Sequence, residues 1–470
     1  MRISPCIFLL LLCSPAFAQP KDPVTKTEVC IVDGVAEGSK GELVRAYLRD
    51  DYITGTERLL GQAIVNDSGR FHLEIELEKT LYLTLRCNKQ RGYFFAEPGR
   101  NHRVGFPKRD SLRMINPDME YDTELQVYSN DSTEMNMLAI DYNARFEVFW
   151  KKNYQHFLYK ESIGRLDTFH KEMHAVYKNV KNPYFLPWMD FSLASLEEAT
   201  FHSERKLAHE YIVNKPIYYD NNEYMNFFNN FYDNYMYKYS MQKTGERIRP
   251  AVNEKASYEE LLKAMKGLRW LDNDTVRELV MLKGLFECYN QPSFDPRNIL
   301  SIAEQCAIQS KVPEHRKIAR NIISFYTKLK EGTTAPGFTA YDRKGKAITL
   351  ENYKGKYVVL SFWASWNSHA VSEIKLLPEL VKKYSKKVVF VSVSLDSDTA
   401  AYHAFLKANP KLNWTMLHYG FNEKLKADYT LLALPAFFII DPDGRLWSSP
   451  ADMPSGKLEY DLYKITKKPR

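Results

Sequence analysis

Cysteine and histidine are the side chains in this 470-residue sequence most readily put to chemical work, and their spacing limits what they can do. The cysteines are Cys6, Cys13, Cys30, Cys87, Cys288 and Cys306. None belongs to a Cys-x-x-Cys pair, the arrangement in which one thiolate attacks a disulfide and a second thiol releases the product. They are also too sparse for a disulfide scaffold. Cys87 continues the alternation of Leu81, Leu83 and Leu85, which points it inward as a small hydrophobe. Bridges Cys30–Cys87 and Cys288–Cys306 stay open at this level. His170 and His174 lie four apart on a predicted helix, on one face. Zinc hydrolases with this spacing need Glu directly after the first His. Here Lys171 stands there and Glu172 comes one place late, so the pair reads as a surface feature and no metal is expected. His369 has no Ser–Asp pair beside it and reads as an exposed residue on the first turn of a helix. Asn367, two residues earlier, suits that helix as its N-cap.

The elements that hold these residues follow from composition and periodicity. Arg2, the apolar run Ile7–Leu12 and Ala16-Phe17-Ala18 form a secretory leader over residues 1–18, too short for a membrane span. Cleavage leaves Gln19 at the amino terminus. Lipidation at Cys13 is disfavoured, because Leu12 precedes it where a small residue is wanted. The expected location is periplasmic or otherwise extracytoplasmic, with no later transmembrane segment. A net charge of +7 over this length does not argue for nucleic acid. Apolar residues at 44% suffice for several packed cores, and 31 Tyr and 26 Phe make the chain aromatic-rich.

Three regions follow the leader. Residues 19–110 show period two: Phe71, Leu73, Ile75 and Leu77 follow the turn Asn66-Asp67-Ser68-Gly69, and Val44, Ala46 and Leu48 alternate earlier. This predicts an all-β sandwich of about six strands. Residues 122–331 turn helical, with a capping box Ser257-x-x-Glu260, an Asp295-Pro296 start, and Pro187, Pro216, Pro292 and Pro313 as punctuation. Roughly seven to nine helices are expected there. Two are aromatic: one carries Phe146, Phe149, Trp150, Tyr154 and Phe157, the other Phe227, Phe228, Phe231, Tyr232, Tyr235 and Tyr239. Burial within their own domain is the reading for both, and a partner or sugar-stacking surface is the alternative. Residues 333–470 alternate strand and helix. Tyr357–Phe362, Val388–Val393 and Phe437–Ile440 are continuous apolar runs, as strands covered on both faces should be.

This last region resembles the TlpA/ResA-type thioredoxin-like family. The resemblance is carried by GTTAPGF (332–338), then DRKGKAITLENYKGKYVVLSFWASWNSHAVSE (342–373), KKVVFVSVSLDSD (386–398) and LPAFFIIDPDGRL (434–446). The β-region upstream is similar in layout to the β-domain often found before secreted TlpA-like modules. The resemblance implies an α/β thioredoxin-like fold and a Trp-Cys-x-x-Cys turn. This chain reads Trp366-Asn367-Ser368-His369-Ala370, so Asn367 stands where the attacking cysteine is expected and Ala370 where the resolving one is. It also implies that Pro435 matches the family's cis-proline, and that Trp366, Leu434 and Pro435 form the groove that grips an extended peptide.

The expected molecule is therefore multidomain: a β-sandwich, an all-α region and a C-terminal thioredoxin-like fold. Its expected role is a redox-inactive module binding an envelope protein or extended peptide, with no catalytic residue and no cofactor. The alternatives are a thiol-disulfide oxidoreductase using cysteines outside the motif and, more remotely, a carbohydrate-handling module. The partner's identity and the oligomeric state are not legible in the residues.

Overall fold

A computed structural model describes residues 27–108, 120–158, 163–199, 203–431 and 433–467. The leader at residues 1–18, with Cys13, lies outside them. Among the described residues no helix is long and apolar enough to cross a membrane. The chain forms two compact units, residues 1–231 and 232–470.

The first unit begins with seven strands: β1 (Glu28–Ala36), β2 (Leu43–Arg49), β3 (Glu57–Ile64), β4 (Arg70–Leu77), β5 (Leu81–Cys87), β6 (Gln90–Ala96) and β7 (Asn101–Phe106). Two short strands that periodicity does not reveal, β8 (Tyr121–Asp122) and β9 (Gln126–Tyr128), extend the sheet edges. The sheets run β4-β1-β7-β9 and β3-β2-β5-β6-β8. One core lies between them, built from Cys30, Val32, Val44, Ala46, Phe71, Leu73, Ile75, Leu83, Leu85 and Cys87 among others. The alternation that predicts β4 is the alternation observed, every second residue being buried. The Asn66 carboxamide oxygen accepts from the amides of Ser68 and Arg70, both at 3.0 Å, and Gly69 takes φ +74°. That closes the turn before β4 with a residue free of the Cβ penalty.

Helices Met135–Leu158, Ile163–Val176 and Phe185–Ala199 follow in this unit and share a core with Phe95 of β6. Asn136 clamps them to that strand, its carboxamide accepting from the Phe95 amide at 2.7 Å and donating to the Phe95 carbonyl at 2.7 Å.

The second aromatic stretch departs from the single helix its spacing predicts. It forms two, Asn222–Phe231 and Tyr235–Ser240, because Asn234 adopts φ +49° between them. Phe227, Phe228, Tyr232 and Tyr235 are buried. In the first aromatic helix Trp150 and Tyr154 are less than half exposed while Phe157 is buried. Breaks of this kind produce more helical segments than proline punctuation suggests, since a left-handed Asn needs no proline to end a helix. Both caps form, but the capping box at Ser257 is half made, because the Glu260 carboxylate pairs with Lys255 and Lys263 while the Ser257 amide donates to the Ala251 carbonyl. Ser257 accepts from the Glu260 amide, and Asp295 caps the helix Pro296–Gln309 with Pro296 in its first turn.

The C-terminal sheet contains β10 (Thr339–Tyr341), β11 (Ala347–Thr349), β12 (Tyr357–Trp363), β13 (Val388–Ser394), β14 (Thr415–His418), β15 (Ala436–Ile440) and β16 (Leu446–Ala451), in the order β11-β10-β14-β13-β12-β15-β16. Strand β12 lies inside the sheet, parallel to β13 and antiparallel to β15. Val359 and Trp363 belong to the core on one face, and Val358, Leu360 and Phe362 to the core on the other. Coverage of both faces is why this strand is a continuous apolar run rather than an alternating one. Ser361 interrupts the run and is satisfied by the Ser392 hydroxyl across the sheet at 2.7 Å.

Candidate functional site

The candidate site forms where β12 ends. Its register with β15 sets Phe362 opposite Ala436, so the chain leaving β12 emerges beside Leu434 and Pro435, just before β15 begins. The Leu434–Pro435 peptide is cis. The turn after β12 is pinned from β13: buried Asp396 accepts from the Ser365 amide at 2.9 Å and the Ser365 hydroxyl at 2.8 Å through Oδ1. Its Oδ2 accepts from the Ser394 hydroxyl at 2.6 Å. His418 Nε2 meets the Asp396 main-chain oxygen at 2.7 Å, and burial lowers the imidazole pKa. The ring addresses the backbone rather than Ser365, so these residues brace a loop and do not form a nucleophile–base pair.

The helix Ser368–Ile374 then starts at Asn367. Its carboxamide oxygen accepts from the Ala370 amide at 2.9 Å, the N-cap bond expected of this residue. The carboxamide nitrogen reaches 3.5 Å from the Leu434 carbonyl, the outer limit for such a bond. Ala370 is fully buried, whereas Trp366 is 48% exposed. Asn367 thus ties the helix start to the Pro435 loop, with Trp366 projecting beside them. His369 is largely exposed, with Nε2 3.9 Å from Glu373 Oε1. Glu373 is itself buried, accepting from the Ser455 amide at 3.0 Å and the Ser455 hydroxyl at 2.6 Å.

Comparison with known proteins bears on this domain. Residues 332–448 match the model of the AhpC/TSA family. The thiol-disulfide oxidoreductase ResA of Bacillus thuringiensis subsp. konkukian (strain 97-27) is 33% identical over 141 residues, 30% of this chain and 80% of that protein. Through its C-terminal domain the chain belongs to the ResA-type thioredoxin-like family. ResA of Bacillus subtilis (strain 168) is 31% identical over 127 residues, covering 25% of this chain and 65% of that one. A solved structure of a putative thiol-disulfide oxidoreductase from Bacteroides vulgatus shares 28% identity, covering 30% of this chain and 99% of that one, with a TM-score of 0.28.

In this ResA-type domain neither motif position carries sulfur. The described cysteines lie elsewhere, and Cys30, Cys87, Cys288 and Cys306 are all free and buried. Burial pushes the thiols of Cys30, Cys87 and Cys288 up to about 12. Cys306 is raised further, by burial and then by the Glu278 carboxylate. Thiolates are the reacting species in exchange, so each of these sites disfavours it. The structure brings Trp366, Asn367, Ala370, Leu434 and Pro435 together at one turn. Asp396 also holds that turn, Glu373 and Ser455 anchor the helix that follows it, and all three are missed by sequence reasoning. Only the pattern Ser394-x-Asp396, which ends a buried strand with two polar residues, hints at one of them.

Proposed function

We propose that this chain is an extracytoplasmic ResA-type protein that does not exchange disulfides. Its groove at Trp366, Leu434 and Pro435 instead holds an extended segment of an envelope protein. The observation that carries this reading is the double engagement of Asn367: its side chain caps the helix at the Ala370 amide and approaches the Leu434 carbonyl. The position that would need a thiolate is spent on structure. The frame around it persists, with an exposed indole and a buried proline flanking the same turn. An extended peptide could add to such a surface through main-chain bonds, with the indole as a flat apolar anchor. The leader expected at residues 1–18 supports the location, and the thiol-disulfide oxidoreductase activity of the ResA relatives supports the kind of surface. An oxidoreductase relying on the remaining cysteines is disfavoured by their burial and raised pKa values.

Two measurements test this. The native protein is expected to leave insulin disulfides intact, with its four described thiols unreactive toward a thiol reagent until unfolded. Partners captured from envelope extract are expected to be lost when Trp366→Ala removes the anchor, a change costing about 2 kcal/mol or more of binding. Insulin turnover abolished by mutating Cys288 or Cys306 would restore the oxidoreductase reading. Capture unaffected by Trp366→Ala combined with Leu434→Lys would move the binding surface off this groove.

A further inference from the structure

A second cluster of chemistry-bearing side chains lies in the first compact unit. His170 and His174 sit one turn apart on the helix Ile163–Val176, and Asp190 and Glu197 sit two turns apart on the helix Phe185–Ala199. The two helices share a core in which Leu166, Phe169 and Met173 meet Phe185, Met189 and Leu193. The polar residues stand at the rim of that core, on backbones that packing holds still.

Three donor atoms converge there. His170 Nε2 and His174 Nε2 are 3.0 Å apart. Asp190 Oδ1 lies 2.8 Å from His174 Nε2 and 3.8 Å from His170 Nε2. A tetrahedral zinc with nitrogen and oxygen ligands near 2 Å has ligand-to-ligand edges of roughly 3.3 Å, within the spread observed. Asp190 Oδ1 is closed off from solvent yet makes no hydrogen bond of sound geometry, despite its nearness to His174. The two imidazoles are within hydrogen-bond reach of each other, and the Asp190 oxygen lies beside them without a bond of its own. Two Nε2 atoms at 3.0 Å cannot both present lone pairs, or both present N–H groups, without repulsion. Without a metal, one ring donates its Nε2–H to the lone pair of the other; a metal ion would instead take both lone pairs together with the Asp190 carboxylate.

The surroundings favour the metal. Glu197 Oε1 lies 3.5 Å from His170 Nδ1, and the Tyr211 hydroxyl donates to the same oxygen at 3.2 Å. A carboxylate on the Nδ1 side favours the tautomer that leaves Nε2 free to bind a metal, the placement that supports ligating histidines generally. His170, His174, Asp190 and Tyr211 also border a cleft of about 580 Å³, which gives a fourth position access to water or a small ligand. We propose that His170, His174 and Asp190 form a zinc site, with Glu197 as the outer carboxylate that orients His170. Two imidazoles and one carboxylate suit a borderline divalent ion such as zinc better than magnesium or calcium, which want oxygen ligands. The site is independent of the groove at Trp366 and does not rest on its proposed role.

The test uses the full, untagged chain, stripped with a chelator and titrated with zinc chloride by calorimetry. Cobalt(II) serves as a second probe, through the visible absorption of its tetrahedral complexes. One zinc per chain and a tetrahedral cobalt spectrum are expected. His174→Ala and Asp190→Asn should each abolish both signals, and Glu197→Gln should weaken zinc binding by about 10- to 100-fold. His174 is half exposed, so its truncation should leave the fold intact, as circular dichroism would verify. Absence of zinc uptake by the native chain would assign the cluster to a His170–His174 hydrogen bond and overturn the proposal. So would uptake that persists unchanged in both His174→Ala and Asp190→Asn.

Discussion

Asn367 joins the two kinds of information at the site, its own chemistry and its place in the fold. As a residue type it excludes sulfur exchange, and as an N-cap it performs the task that Asn performs at many helix starts. Its place three residues before Ala370, at the start of a helix, is the geometry in which a dithiol would close. The bond from the Ala370 amide to the Asn367 side chain at 2.9 Å places the side chain of the first position against the backbone of the second. Replacing both, as Asn367→Cys with Ala370→Cys, is therefore expected to give an internal disulfide and measurable insulin reductase activity. The free amides of the helix start favour a thiolate at the first position. Thiol titration and insulin turbidity on the double variant, with each single variant as control, provide the check. A folded double variant with two ordinary thiols and no turnover would mean that the turn has drifted from the dithiol geometry, and with it the groove.

At the level of elements, the helical part of the second unit is organised around a buried carboxylate. Glu278 on the helix Asp274–Cys288 accepts from the Tyr258 hydroxyl at 2.8 Å and lies 3.1 Å from His315 Nδ1. Cys306 Sγ approaches it at 3.5 Å. Those partners come from the helices Tyr258–Met265, Pro313–Thr327 and Pro296–Gln309, so one side chain ties four helices together. Burial alone would raise the Glu278 pKa. The neighbouring polar groups of His315, Ser310 and Tyr258 outweigh it and hold the group at about 2, against an ordinary 4.5. A depressed carboxyl contributes stability above its unfolded value, and that stability is lost as pH falls from about 4.5 toward 2. Glu278→Ala is expected to cost ~3 kcal/mol near neutral pH by leaving its partners buried without it. The variant should also lose less stability than the native chain between pH 5 and pH 3. Parallel acid-unfolding curves for the two proteins would assign the acid sensitivity to other carboxylates.

For the whole molecule, the question is how much of the chain each fold needs. The buried residues on both faces of the C-terminal sheet come from within 335–465, and of the segment before them only the partly buried Leu329 packs against these cores. Residues 333–470 expressed alone are therefore expected to melt cooperatively and to resist limited proteolysis. The longer fragment 232–470, the second compact unit, serves as the reference. A short fragment that is molten while the longer one folds would tie the thioredoxin-like domain to the helices before it.

The sequence by itself determined the C-terminal fold, the period-two β-region, the helical caps at Ser257 and Asp295, and the absence of sulfur at Asn367 and Ala370. These are local or family-wide properties: strand and helix period, turn residues and motif order are written along the chain. The tertiary structure decided what depends on residues far apart in sequence. The braces at Asp396 and Glu373 are invisible as motifs, because Ser365 and Ser455 meet them only through folding. The break at Asn234 needed a backbone conformation that helical periodicity cannot report. His170 and His174 show the division most clearly. Their spacing lacks the adjacent glutamate of the known metal motif, and on that ground they read as an ordinary surface pair. Packing of the next helix brings Asp190 to within 2.8 Å of His174. A ligand set is a property of three-dimensional convergence, and only the fold could supply its third member.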